Sequence, residues 1–229
     1  MDRRALAAQV SVDWPLLRSL AATERTELLA LTRARSFARD EVLCSAGDRA
    51  DALHLVASGR LGVSVSLPSG STAMLSVLGA GDYFGELSLL RASDRRTATV
   101  RALEPSVTMA IGGAAFRRLC EQRPRVERAL TALLADQVDV LSRHLLEALY
   151  EGLDLRVRRR LAELAQTYGN GDGAVHLPLT QSQLAELAGG TRPTVNQILR
   201  RLEARGVVAL GRGRVTVLDS GALAPTAGG

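Results

Sequence analysis

The apolar residues of this 229-residue chain change their spacing twice, so helical segments must flank a sheet. Residues 1–34 read as helical, with Leu16, Leu17 and Leu20, then Leu28, Leu29 and Leu31, at helical spacing. From Ser36 the period becomes two. Leu53, Leu55 and Ala57 alternate with polar neighbours, and Leu61, Val63, Val65 and Leu67 alternate again beyond the Ser58-Gly59 turn. Pro68-Ser69-Gly70 makes the next turn, before Ala73 to Leu78, and further strands are expected at Thr97–Leu103 and Val107–Ile111. Short strands between glycine-containing turns predict an antiparallel sandwich or jelly roll over Ser36 to Gly112.

After Gly112-Gly113 the pattern turns helical. Leu134, Val138, Leu141, Leu145 and Ala148 step by 4, 3, 4 and 3 residues, an a/d seam flanked by Asp136, Asp139, Arg143 and Glu147. Such a seam either packs on its own sandwich or pairs with its copy in a second subunit; its regularity at a domain's end favours a dimerisation helix. Gly152 ends it. The expected organisation is α+β: a jelly-roll domain over 1–121, a dimerisation helix over 122–151 and a third domain over 152–229.

The most specific stretch is QSQLAELAGGTRPTVNQILR, residues 181–200. Thr180 and Gln183 form a capping box that starts a helix near residue 181. Leu184 and Leu187 supply its apolar face, Ala185 allows a close crossing, and Gly189 suits the positive φ of a sharp inter-helix turn. Thr191 can cap a second helix with Pro193 in its first turn, and Val195, Ile198, Leu199 and Leu202 form its buried stripe. Arg192, Thr194, Asn196, Gln197, Arg200 and Arg201 are left facing outward, donor-rich and suited to phosphates and base edges. VVALGRGRVTVL then reads as a hairpin wing around Gly211-Arg212-Gly213. Thr180, Ser182, Thr191, Arg192, Pro193, Thr194, Asn196, Gln197, Arg200 and Arg212 are the expected DNA-binding residues. The alternative is an ordinary helical hairpin with a solvated basic face. Charge favours DNA: residues 1–151 carry 19 arginines against 18 carboxylates, whereas residues 152–229 carry ten against six. All 29 basic residues are arginine.

In GDYFGELSLLRASDRRTATV, from Gly81, Arg96 stands before Thr97-Ala98-Thr99-Val100, a run with the look of a buried strand. A guanidinium is costly to bury alone, so it needs a partner. A loop with Gly81, Gly85 and Glu86 could cradle an anion or a sugar, with Glu86 accepting from ribose hydroxyls and Arg96 forking onto phosphate oxygens beside Thr97. An Arg96–Glu86 salt bridge without any ligand fits the spacing equally well.

Phe84-Gly85-Glu86-Leu87-Ser88-Leu89-Leu90 with Arg96-Thr97-Ala98 resembles the phosphate-binding cassette of cyclic-nucleotide-binding domains. With the seam helix and the winged helix-turn-helix, residues 14–219 resemble the cyclic-AMP receptor protein/fumarate–nitrate regulator family of bacterial transcription regulators. The resemblance implies Glu86 at a ribose, Arg96 and Thr97 at a cyclic phosphate, Gly85 and Leu87 shaping the loop, and a cyclic nucleotide, cyclic AMP first and cyclic GMP second, as effector. It also implies a purine-binding Thr-Ser pair on the dimer helix, where this chain has Leu141-Ser142, and an arginine one turn earlier, where it has Gln137. At the start of the recognition helix the family's Arg-Glu-Thr-Val is here Arg192-Pro193-Thr194-Val195, which alters the operator read. Homodimerisation, a near-palindromic double-stranded DNA operator and contact with RNA polymerase follow from the same resemblance. Residues Ser220 to Gly229 read as a flexible tail.

Other classes fit poorly. Cys44 and Cys120 lack the spacing of a zinc site, an iron–sulfur cluster or a disulfide framework, and His54, His144 and His176 stand singly, so no metal is expected. A cupin-like metalloenzyme would need several histidines converging on the sandwich, which holds only His54; the chain is not read as an enzyme. A nucleotide-binding module serving another protein would not need the C-terminal reader. Arg3 and Arg4 are not followed by a secretory apolar core and no apolar run spans a bilayer, so a cytoplasmic protein off the membrane is expected. Rival effector readings are DNA binding without any ligand, or a response to cyclic di-GMP or redox.

Overall fold

A computed structural model describes residues 12–18, 20–90, 95–169 and 173–223, with the backbone alone at Ser88 and Leu90. The first eleven residues of the expected helical segment, cassette positions 91–94 and the last six residues of the tail lie outside these ranges. The chain divides into two compact units, one of residues up to 65 with 78–141, the other of 66–77 with 142 onward.

The helices α1 (Pro15–Arg18) and α2 (Ala22–Ala30) precede eight strands. These are β1 (Thr32–Phe37), β2 (Val42–Cys44), β3 (Ala52–Ser58), β4 (Leu61–Ser66), β5 (Thr72–Leu78), β6 (Tyr83–Phe84), β7 (Thr99–Ala102) and β8 (Ser106–Gly112). They make two four-stranded sheets, ordered β1-β8-β3-β6 and β2-β7-β4-β5. The jelly-roll architecture expected from the period-two region is therefore present. The first strand begins at Thr32, four residues earlier than expected, because exposed Arg33 and Arg35 alternate with half-buried Thr32 and Ala34 once β8 pairs along them.

Strand β3 departs from the predicted half-buried alternation: every residue from Ala52 to Ala57 is buried. Leu53, Leu55 and Ala57 pack with Trp14, Leu16, Leu28, Phe116 and Leu130 on the helical side. Val56 packs with Phe37, Leu61, Phe84, Val100 and Ala102 in a second cluster between the sheets. Helices cover the outer face of the sheet, so both faces are dry. Trp14 adds an indole N–H to the Val56 carbonyl at 2.9 Å.

The short α3 (Glu86–Leu90) follows β6, and α4 (Gly113–Gln122) leads into α5 (Pro124–Tyr150), a 27-residue helix of about 40 Å at 1.5 Å per residue. Along α5, Leu134 is half-buried and Val138, Leu141, Leu145 and Ala148 are exposed, as are Leu146, Leu149 and Tyr150.

The second unit contains α6 (Leu153–Tyr168), β9 (Val175–Leu177), α7 (Gln181–Ala188), α8 (Arg192–Ala204), β10 (Val208–Gly211) and β11 (Arg214–Val217). Gly152 caps α6. Across that connection Arg160, 5 % exposed, bonds to Glu147, to Glu163 at 2.5 Å and to His144 Nε2 at 2.6 Å, while Arg159 reaches Glu151 at 2.6 Å. The wing is three-stranded, since β9 pairs with β11. The expected tail is ordered at its start, where Gly221–Leu223 form a 3-10 turn with Leu223 fully buried.

Candidate functional site

Strand β6 lies against β3 with His54 opposite Phe84, and their rings stack at 4.6 Å and 9°. His54 Nδ1 shares a hydrogen bond of 3.0 Å with the Thr108 hydroxyl. Gly85 follows with φ +94°, and a Cβ there would strike the Arg96 Nη1 and come within 2.6 Å of the Ala52 carbonyl. Only glycine lets the chain turn so close beneath the guanidinium.

Arg96 is 6 % exposed. Its Nη2 donates to the Ala52 carbonyl at 2.7 Å and lies 3.5 Å from Asp51 Oδ1. Its Nε and Nη1 are buried without a hydrogen-bond partner. The Phe84 ring lies beneath, 6.0 Å from Cζ. The backbone is held by the loop at residues 47–48: Arg96 N–H donates to the Asp48 carbonyl at 2.9 Å and Gly47 N–H to the Arg96 carbonyl at 2.8 Å. The expected strand starts only at Thr99, so Arg96, Thr97 and Ala98 form a bent lead-in, with Thr97 exposed and Ala98 half-buried.

Glu86 is buried beside this group, and burial pushes its carboxyl pKa up against the opposing pull of nearby backbone N–H groups and the Arg96 charge. Among the described residues no Arg96–Glu86 bridge forms, so the ligand-free ion pair weighed from spacing is corrected to a looser contact with Asp51. Asp51 was not singled out by sequence, as nothing in its spacing ties it to residue 96. Burial, then the Arg96 charge, lowers the His54 pKa from 6.5 to about 4, so the imidazole beside the guanidinium is held neutral. Leu87 is half-buried behind the loop, whereas Gln137, Leu141 and Ser142 all stand exposed on α5. A buried cation with two unused donors above a glycine has the chemistry to take an anion.

In the second unit, the Thr180 hydroxyl accepts from Gln183 N–H at 3.2 Å and Gln183 Oε1 accepts from Thr180 N–H at 2.8 Å, completing the capping box. Gly189 takes the left-handed conformation at φ +65°. A Cβ on Gly190 would lie 2.7 Å from Leu153, so this turn has no room for a side chain. Val195, Ile198, Leu199 and Leu202 are buried, as the stripe predicted. Leu187 is only half-buried, and Ala188 takes the inner position instead.

Thr191 occupies the N-cap of α8, but its hydroxyl pairs with that of Thr194 at 2.9 Å rather than with a backbone N–H. Arg192, Pro193, Thr194, Gln197, Arg200 and Arg201 are exposed, Ser182 half-buried. Asn196 is also half-buried, its amide donating to Gln181 Oε1. Arg200 lies 2.9 Å from Glu203. At the wing, Arg212 is exposed in the turn beside Gly213, whose φ is +69°. Among the described residues no cluster of three or more metal-ligating side chains forms, and no helix is long and apolar enough to cross a membrane.

Together these features define a ligand-binding β domain joined to a helix-turn-helix reader. Residues 34–123 match the cyclic nucleotide-binding domain and residues 155–225 the Crp-like helix-turn-helix domain. The chain is 34% identical over 214 residues to the cyclic AMP receptor protein of Thermus thermophilus, covering 91% of this chain and 94% of that one. It is 29% identical over 191 residues to the CRP-like cAMP-activated global transcriptional regulator of Mycobacterium tuberculosis, 82% and 85% of the two chains. A CRP-family transcriptional regulator from Thermus thermophilus superposes with a TM-score of 0.69 at 27% identity, over 82% of this chain and 94% of that one. The chain belongs to the cyclic AMP receptor protein/fumarate–nitrate regulator family of transcription regulators.

Proposed function

We propose that the protein is a homodimeric regulator whose affinity for operator DNA is set by a cyclic nucleotide held at Arg96. One observation carries this: the Arg96 guanidinium is buried with Nε and Nη1 unsatisfied, a cost that a phosphodiester anion offsets. Glu86 is the acceptor available to ribose hydroxyls, and Gly85 leaves the loop backbone open to close approach. Relatives named as cAMP-activated regulators support the same effector here. RNA polymerase is the expected partner, and the cytoplasm, where the DNA lies, the expected location.

Exposed Val138, Leu141 and Leu145 on α5 are the seam that a second copy covers. In a two-fold dimer the recognition helices α8 would enter successive major grooves about 34 Å apart, reading bases from Arg192 and Gln197 and phosphates from Arg200 and Arg212. A nucleotide that binds one arrangement of these helices better shifts the population toward it.

A second reading, DNA binding without an effector, is favoured by Leu141 and Gln137, which bring no hydroxyl or cation to a purine. Calorimetry separates the two. The wild type should release binding heat with cyclic AMP or cyclic GMP and Arg96→Leu should not; wild-type affinity retained by Arg96→Leu places the site elsewhere.

A further inference from the structure

Among the described residues, the carboxylate paired with the buried guanidinium is Asp51, 3.5 Å from Nη2. The two side chains differ sharply in setting: Arg96 is 4 % exposed and Asp51 75 %. Asp51 therefore stands on the solvent side of the buried cation. Its backbone is fixed from both directions. The Asp51 carbonyl accepts from Gly113 N–H, the first residue of α4, at 2.7 Å, and the next carbonyl, of Ala52, accepts from Arg96 Nη2 at 2.7 Å. The backbone that carries the carboxylate is thus fixed beside Arg96.

We infer that Asp51 sets the affinity of the Arg96 site, as an internal anion that competes with a phosphodiester for the guanidinium. The inference rests on the nucleotide reading above. An anion meeting Nε and Nη1 shares one cation with a second negative charge a few ångströms away, and like charges at that range repel. Orientation of Arg96 does not depend on Asp51, because the Ala52 carbonyl already anchors Nη2. Neutralising the carboxylate therefore removes repulsion and leaves the fork in place. As Asp51 is exposed, water and salt moderate the effect, which puts the gain at about twofold to fivefold.

The test is calorimetric titration of the full-length protein with cyclic AMP and with cyclic GMP, comparing wild type, Asp51→Asn, Asp51→Ala and Arg96→Leu at low and high salt. Both Asp51 variants should bind the responding nucleotide more tightly by that factor, with the gain shrinking as salt rises. Binding by the wild type that Asp51→Asn leaves equal or weaker overturns this inference and spares the nucleotide reading. Binding gained only when Asp51 is neutralised supports it. No heat from the wild type or either Asp51 variant overturns both.

Discussion

His54 is the buried base of the sensor unit, stacked on Phe84 and hydrogen-bonded to Thr108. Burial and the Arg96 charge lower its pKa to about 4, whereas an unfolded histidine keeps about 6.5. Between those values the unfolded chain binds the extra proton, so stability falls as pH drops from about 6.5 toward 4. For one group the slope approaches about 1.4 kcal/mol per pH unit in that window. His54→Gln should flatten this part of the urea-midpoint profile; an unchanged slope would show that His54 does not titrate there. At this scale the sequence was partly legible. Arg96 stood out because an isolated guanidinium next to small residues requires a partner. Asp51 did not, since its meeting with Arg96 depends on β3 and the lead-in to β7 coming together 45 residues apart.

Elements were read well where the period is long and uninterrupted. The stripe of α8, the capping box of α7 and the seam of α5 all follow from spacing. Errors arose where tertiary cover overrides local pattern. Strand β3 looked amphipathic but is dry on both faces, because α1, α2, α4 and α5 lie over one side. Strand β9 is three residues long with a histidine at its centre, too short to show a period, and forms by pairing with β11. Thr32 to Ala34 looked like the end of a helix until β8 supplied a partner strand. The exposed seam carries its own prediction. Leu145, 59 % exposed, should lie against its copy, so Leu145→Glu should shift light-scattering mass from two chains to one at micromolar concentration. A wild type that already sediments as a monomer would contradict the dimer.

For the whole molecule, the Arg96 cradle and the α8 face belong to different units. In the proposed reading, the charge excess beyond residue 152 and the exposed arginines of α8 would account for DNA affinity, and the orphaned donors of Arg96 for sensing. What spacing could not supply is the identity of a nucleotide, because Gln137, Leu141 and Ser142, which the family resemblance would set at its base, stand exposed on α5 and carry no charge. The most direct test is fluorescence anisotropy of a genomic fragment selected by the wild-type protein, titrated with and without cyclic AMP and cyclic GMP, for wild type and Arg96→Leu. One nucleotide should change wild-type affinity by about tenfold, a coupling of about 1.4 kcal/mol, and leave Arg96→Leu unmoved. An equal response in both proteins, or none in the wild type with either nucleotide, would contradict it.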